Sequence, residues 1–362
     1  MFHPLRTLVF LFAAMTASAQ TVYFGNYTEA LRAADFDAST GTLAHDRPVA
    51  PLKGASFLAK SSDGRHLYAV AESGQGGLFA LAIQPDGALA PLNSRPSEGA
   101  GPCAIALSPD GRFVAAANYT GGSVIVYSIA ADGSLGEKSA FFQHAHADDV
   151  FPGRQKAPHA HGVTWSPEGR LLLVPDLGGD RVYVYARDPA TGAFQPGPAQ
   201  PWISMPPGAG PRHAEFSPEG SHLYVINELG NTVSVAAYDP AAATFTDIET
   251  VSTLPPEGSP VYSKTAELAL TPDGRTLYAS NRGHDTLAVF ARDPSTGRLS
   301  ARGHVAVPAN PRHFALSPDG RWLLSAGQDT GSVAVFAVDP ATGALTPMGE
   351  PFATPRPVCV RF

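Results

Sequence analysis

Cysteine is nearly absent from this 362-residue chain, with only Cys103 and Cys359 and no Cys-x-x-Cys pair. At most one disulfide is therefore open to it, and only an oxidising compartment would favour that bond. Basic blocks are missing too. Lys and Arg total 25 against 32 Asp and Glu, a net charge of −7, which excludes a nucleic-acid footprint. Beyond residue 20 no apolar run resembles a membrane span. There is no Gly-x-Ser-x-Gly elbow, no phosphate-binding P-loop and no Gly-x-Gly-x-x-Gly after a strand, so a covalent serine hydrolase is not expected, nor is any cofactor.

Glycine (36) and proline (34) are abundant, and 44% hydrophobic content supplies a core. Punctuation this dense favours many short strands over long helices. The opening stretch, MFHPLRTLVFLFAAMTASAQ, carries one cation (Arg6), an apolar run and Ala17-Ser18-Ala19. It predicts a secretory leader over residues 1–19, export to the periplasm or the medium, and one domain over 20–362.

Internal repeats decide the fold. SSDGRHLYAV, SPDGRFVAAAN, SPEGRLLLVPD, SPEGSHLYVIN, TPDGRTLYASN and SPDGRWLLSAG recur, with turn glycines at 64, 111, 169, 220, 274 and 320. Each is a hairpin signal, because glycine accepts the positive φ of the turn. A further strand-and-turn element, such as GDRVYVYARDPATGAF or HDTLAVFARDPSTGRL, recurs seven times, against six first hairpins. The missing hairpin is divided between the termini: RPVCVRF resembles an opening strand and TVYFGNYT a second strand. An all-β, seven-bladed β-propeller with four-stranded antiparallel blades, its closing blade shared by the two ends of the chain, accounts for this pattern.

Aligned on the turns, the inner strands begin at Ser56, Cys103, His161, Arg212, Ala266 and Arg312. The second strands end seven or eight residues past each turn glycine, at Glu72, Asn118, Asp176, Asn227/Glu228, Asn281/Arg282 and Gln328, with Asn26 in the divided blade. Antiparallel pairing brings both ends to one rim, so these side chains are expected to converge on a mouth of the central channel. Cys359 stands one position later in its strand than Cys103 does, in a blade that is not adjacent. Both thiols are therefore expected to be free and buried. By the same alternation His213 and His313 are expected to point away from the channel.

RQKAPHAHGVTWSPEGRLLLVPDLGGDRVYVY (154–185), GAGPRHAEFSPEGSHLYVINEL (208–229), AELALTPDGRTLYASNRGHDTLAVF (266–290) and NPRHFALSPDGRWLLSAGQ (310–328) together resemble the seven-bladed lactonases. That family includes propeller-type 6-phosphogluconolactonases and the fungal carboxy-muconate cyclising enzyme. The resemblance implies functional residues at His161, Arg212, Glu228 and Arg282, and a small-molecule lactone as substrate. It brings no metal.

Lactone opening needs a base to activate water and cationic groups for the oxyanion. His161 or Glu228 is expected to be that base, with Arg212 and Arg282 binding the anion. Arg154, Arg312, Gln328, Asp176, Asn227, Asn281 and Asn118 are expected to shape the substrate pocket. The insertion QHAHADDVFPGRQKAPHAH (143–161) is expected to lie over the mouth. Its histidines have no third ligand at a fixed spacing, so no metal site is expected there. Muconate lactonisation and a non-catalytic exported propeller binding a ligand or envelope partner are the alternatives. The sequence leaves the oligomeric state open.

Overall fold

A computed structural model describes residues 20–72 and 76–362. The leader expected over residues 1–19 lies outside the described residues. The described chain forms seven antiparallel sheets and no helix. In one sheet the C-terminal strand Pro357–Arg361 pairs with the N-terminal strand Gln20–Asn26, so the divided repeat closes as expected. Each inner strand touches the inner strands of both neighbouring sheets, and the seven complete a ring. In two blades the outermost strand is broken into two short pieces, Phe194–Pro196 with Trp202–Ser204 and Leu345–Pro347 with Phe352–Ala353.

The repeated turn has a local cause. Ser61, Ser108, Thr271 and Ser317 each donate their hydroxyl to the aspartate two residues on, at 2.5–2.6 Å. The turn glycine then takes a φ of +66° to +76° in all six copies, where a side chain is strained. Between blades the strands bury seven apolar clusters. One of them joins Tyr224, Ile226 and Val233 of one blade to Leu268, Leu277 and Phe290 of the next. Tyr23, Tyr68, Tyr224 and Tyr278 add a recurring bond, each donating its phenol hydroxyl to the carbonyl of a turn glycine in the adjacent blade at 2.7–3.0 Å. A bond of this kind contributes about 1 kcal/mol net, and it ties each blade to the next.

A β-bulge sits near the start of most inner strands. Ser56, Cys103, Arg212 and Arg312 are each the unpaired extra residue, and in Lys264–Leu270 both Ala266 and Glu267 are unpaired. A bulge re-aims the side chains on either side of it. For that reason His213 and His313 do not point away from the channel, as simple alternation predicts. They lie in it, one level below the arginines, His213 bonded to Glu267 and His313 Nε2 3.4 Å from it.

Candidate active site

The channel mouth encloses a cavity of about 260 Å³ lined by Glu72, Cys103, Tyr119, Arg154, His161, Glu228, Lys264, Arg282 and Arg312, with Gly101 and Thr120. Glu228 is its electrostatic centre. Arg282 reaches Oε2 at 2.6 Å, Arg212 Nε stands 3.3 Å from the same oxygen, and Arg154 bonds Oε1 at 2.7 Å. His161 Nε2 lies 3.7 Å from Oε2. The backbone holds this carboxylate in place. Glu228 N–H donates to Gly210 O, and its carbonyl accepts from Thr265 N–H. Arg282 donates to Thr265 O as well, on the paired strand of its own blade.

Burial alone would push the Glu228 carboxyl up, but Arg282, His161, Arg212 and Arg154 together outweigh it and hold the pKa well below the usual carboxylate range. His161 moves the other way from an exposed imidazole. Burial and then the Arg212 charge lower its pKa well below 6.5, so it rests neutral. Its Nδ1 stands 3.6 Å from Cys103 Sγ. Burial pushes that thiol up to about 12, so it is no nucleophile. Both cysteines are free and buried. Gly162 allows the His161 segment to approach, since a Cβ there would sit 2.5 Å from Arg212 O.

Beneath the mouth, Glu267 accepts the Nδ1–H of His213 at 3.0 Å, and His313 Nε2 stands 3.4 Å from it. Val360 N–H donates to His313 Nδ1, which leaves the proton on Nε2, facing Glu267. His213 Nε2 is then free to accept from Arg212 Nη1 at 3.2 Å, and the same Nη1 donates to Ala266 O. A chain from Glu267 through His213 thus sets the orientation of Arg212.

Of the residues singled out in the sequence, His161, Arg212, Glu228, Arg282, Arg312 and Arg154 come together at this mouth. Arg212 and Arg282 both lie against Glu228, and each keeps an Nε without a hydrogen-bond partner. Asn118, Asp176, Asn227 and Asn281 are fully buried and do not line the cavity. They stand seven residues past the turn glycine, where side chains enter the blade and bind the next turn. Asn118 donates to Ser97 O and Ser123, Asn227 to Thr232 and Ser234, and Asn281 to Thr253 O. Asp176 accepts from His159, Gly178 and Gly179 N–H and from His144 at 2.6 Å. The eighth position faces the channel, and it supplies Glu72, Tyr119, Glu228 and Arg282. Gln328 also stands there but outside the cavity lining. Sequence reasoning passed over Tyr119 and Lys264; the eighth-position column would have found the first.

The 143–161 insertion is anchored at both ends. His144 bonds Asp176, Gln155 donates to Leu177 O and Asp180, and His159 stacks on Tyr119. Its four histidines go to four separate partners: Asp176, Asp148, Tyr119 O and Glu228. Arg154 and His161 are the residues it contributes to the cavity lining.

The profile of a seven-bladed β-propeller lactonase family matches residues 21–362. A 6-phosphogluconolactonase of Bacillus subtilis is 33% identical over 299 residues, covering 81% of this chain and 83% of the relative. One of Formosa agariphila is 29% identical over 295 residues, 78% and 82% of the two chains. Among solved structures, a periplasmic gluconolactonase of Pseudomonas aeruginosa superposes with a TM-score of 0.88 at 33% identity, over 94% of this chain and 98% of that one.

Proposed function

This chain belongs to the seven-bladed β-propeller lactonase family, and from that premise we propose that it hydrolyses a sugar lactone at the mouth described above, with His161 as the general base. One observation carries the assignment of roles. The neutral imidazole of His161 stands 3.7 Å from a carboxylate that three guanidinium groups keep ionised. Glu228 is thereby a weak proton acceptor, although it is well placed to stabilise the imidazolium formed when His161 takes a proton from water. Hydroxide adds to the lactone carbonyl, the ring oxygen leaves, and the proton on His161 passes to that oxygen to give the open hydroxy acid. The guanidinium groups around Glu228 supply hydrogen bonds for the oxyanion of the tetrahedral intermediate.

A leader over residues 1–19 would place this chemistry outside the cytoplasm. Similarity to a periplasmic gluconolactonase supports that reading. The test is proton release from aldonolactones above the spontaneous rate. A purified protein that does not accelerate ring opening of any aldonolactone excludes the assignment.

A further inference from the structure

The face opposite the mouth carries the first turn of each blade, and there one blade interface departs from its neighbours. At four interfaces the turn proline covers the turn glycine of the next blade. Pro109 lies on Gly169, Pro167 on Gly220, Pro218 on Gly274 and Pro272 on Gly320, where a Cβ built on the glycine would stand 2.8–3.5 Å from the ring. Gly111 has nothing within 4 Å of that position. The turn before it carries Ser62 in place of proline.

A second closing contact is missing at the same interface. Arg187, Tyr238 and Arg292 each bond the turn acid of the preceding blade, Asp110, Glu168 and Glu219 in that order. Each also donates its backbone N–H to the residue after its own turn glycine. The residue in that register beside Gly111 is Ile129, which offers Asp63 no polar side chain.

A third departure supplies charge. The residue before the turn hydroxyl is apolar in five copies, as Leu107, Trp165, Phe216, Leu270 and Leu316, and is Lys60 in the sixth. Lys60 is half-buried, burial lowers its pKa, and it forms no ion pair among the described residues. The turn carboxylates beside it are already held, Asp63 by Ser61 and Arg65, and Asp110 by Ser108 and Arg187. These three changes coincide in a groove of about 460 Å³, lined on one part by Tyr68, Leu107 and Ile129 and on another by Lys60, Ser62 and His66. Small-molecule sites commonly enclose about 300–1,000 Å³. A cation partly withdrawn from water without a counter-charge is costly, and an anion in the groove relieves that cost.

We infer that this groove is a second binding site, for a small hydroxylated monocarboxylate whose carboxylate pairs with Lys60 and whose hydroxyls meet Ser62 and His66. The open hydroxy acid released at the mouth has this chemistry. Its being the natural occupant rests on the lactonase reading, whereas the site itself does not.

The test is acetylation of Lys60 by trace acetic anhydride, read peptide by peptide by mass spectrometry and referred to the exposed Lys53. Gluconate at about 10 mM is expected to slow labelling of Lys60 about threefold or more, and glucose at the same concentration to leave it unchanged. Ser62→Pro restores the ring found at this place in the other five turns, so it is expected to fold and to abolish the protection. Labelling unaffected by gluconate, equal protection by glucose, or protection that survives in folded Ser62→Pro overturns the site. Should Ser62→Pro fail to fold, Lys60→Met decides by calorimetry: the wild type is expected to bind gluconate with one more site than the variant, and equal stoichiometry refutes the groove. Neither measurement needs turnover, so a protein that opens no lactone loses the lactonase reading without deciding this one.

Discussion

Two buried glutamates occupy one channel, one level apart, and their partners differ. Glu228 at the mouth is surrounded by guanidinium groups, which carry their charge at every accessible pH. Glu267 below it is held by two imidazoles. Burial lowers the pKa of both, that of His313 to about 3, so they serve as neutral N–H donors. Glu267 is nonetheless ionised, because His213, His313 and Arg212 outweigh its burial and bring its pKa to about 2. The upper carboxylate faces a cavity and organises charge where a substrate enters. The lower one faces Phe57 and the two histidines and fixes the direction of Arg212. Two buried, ionised carboxylates thus take two roles, set by whether their partners are permanent cations or imidazoles.

The largest expected effect comes from removing the upper charge. Glu228→Gln leaves three guanidinium groups without their counter-ion and is expected to cost about 3–5 kcal/mol in urea unfolding, with kcat/KM falling at least ~10-fold in the fraction that folds. A variant as stable as the wild type would remove the distinction between the two levels. Glu267→Gln keeps one hydrogen bond to His213 and is expected to cost about 1–3 kcal/mol. Its activity loss should lie in kcat, since Arg212 is misdirected rather than removed. An unchanged kcat would make Glu267 purely structural.

Acid pH sharpens the comparison. Both glutamates have pKa values depressed by folding, so each contributes stability that is present above the ordinary carboxylate pKa and lost as pH falls. His161, His213 and His313 act in the same sense. Their folded pKa values lie below 6.5, so the unfolded chain takes up protons first as pH drops. The midpoint of thermal unfolding is expected to decline steadily from pH 6.5 downward, and less steeply in Glu267→Gln.

The smallest effect belongs to Glu215, further along the channel. Burial and then the Glu267 charge raise its pKa to about 8. Here the sign reverses: the folded state holds a proton that the unfolded chain releases, so stability falls between about pH 4.5 and 8. Glu215 is partly exposed, so solvent screening limits the effect. Glu215→Gln is expected to stabilise by about 1 kcal/mol at pH 8 and not at all at pH 4.5. Equal stability at both would show the carboxyl to be solvated.

The ring was legible because turn chemistry is local. Each Asp-Gly or Glu-Gly turn announces its hairpin, and counting hairpins against third strands reveals the blade divided between RPVCVRF and TVYFGNYT. The convergence of His161, Arg212, Glu228 and Arg282 on one mouth followed from antiparallel pairing. What failed was parity. The bulges at Arg212 and Arg312 break the two-residue alternation, so His213 and His313 turn inward. Treating the seventh and eighth positions as one column mixed Asn118, Asp176, Asn227 and Asn281, which build blades, with Tyr119, Glu228 and Arg282, which face the cavity. Partner choice was beyond reach as well: no spacing shows that Glu228 lies against both Arg212 and Arg282.

The most direct test of the account is kcat/KM for aldonolactone opening against pH, in wild-type protein and in His161→Ala. Wild-type activity is expected to persist below pH 6.5, because His161 stays neutral there, and the variant to lose about 10²–10⁴-fold across the range. A folded His161→Ala protein with wild-type turnover would contradict it and return the role of base to Glu228.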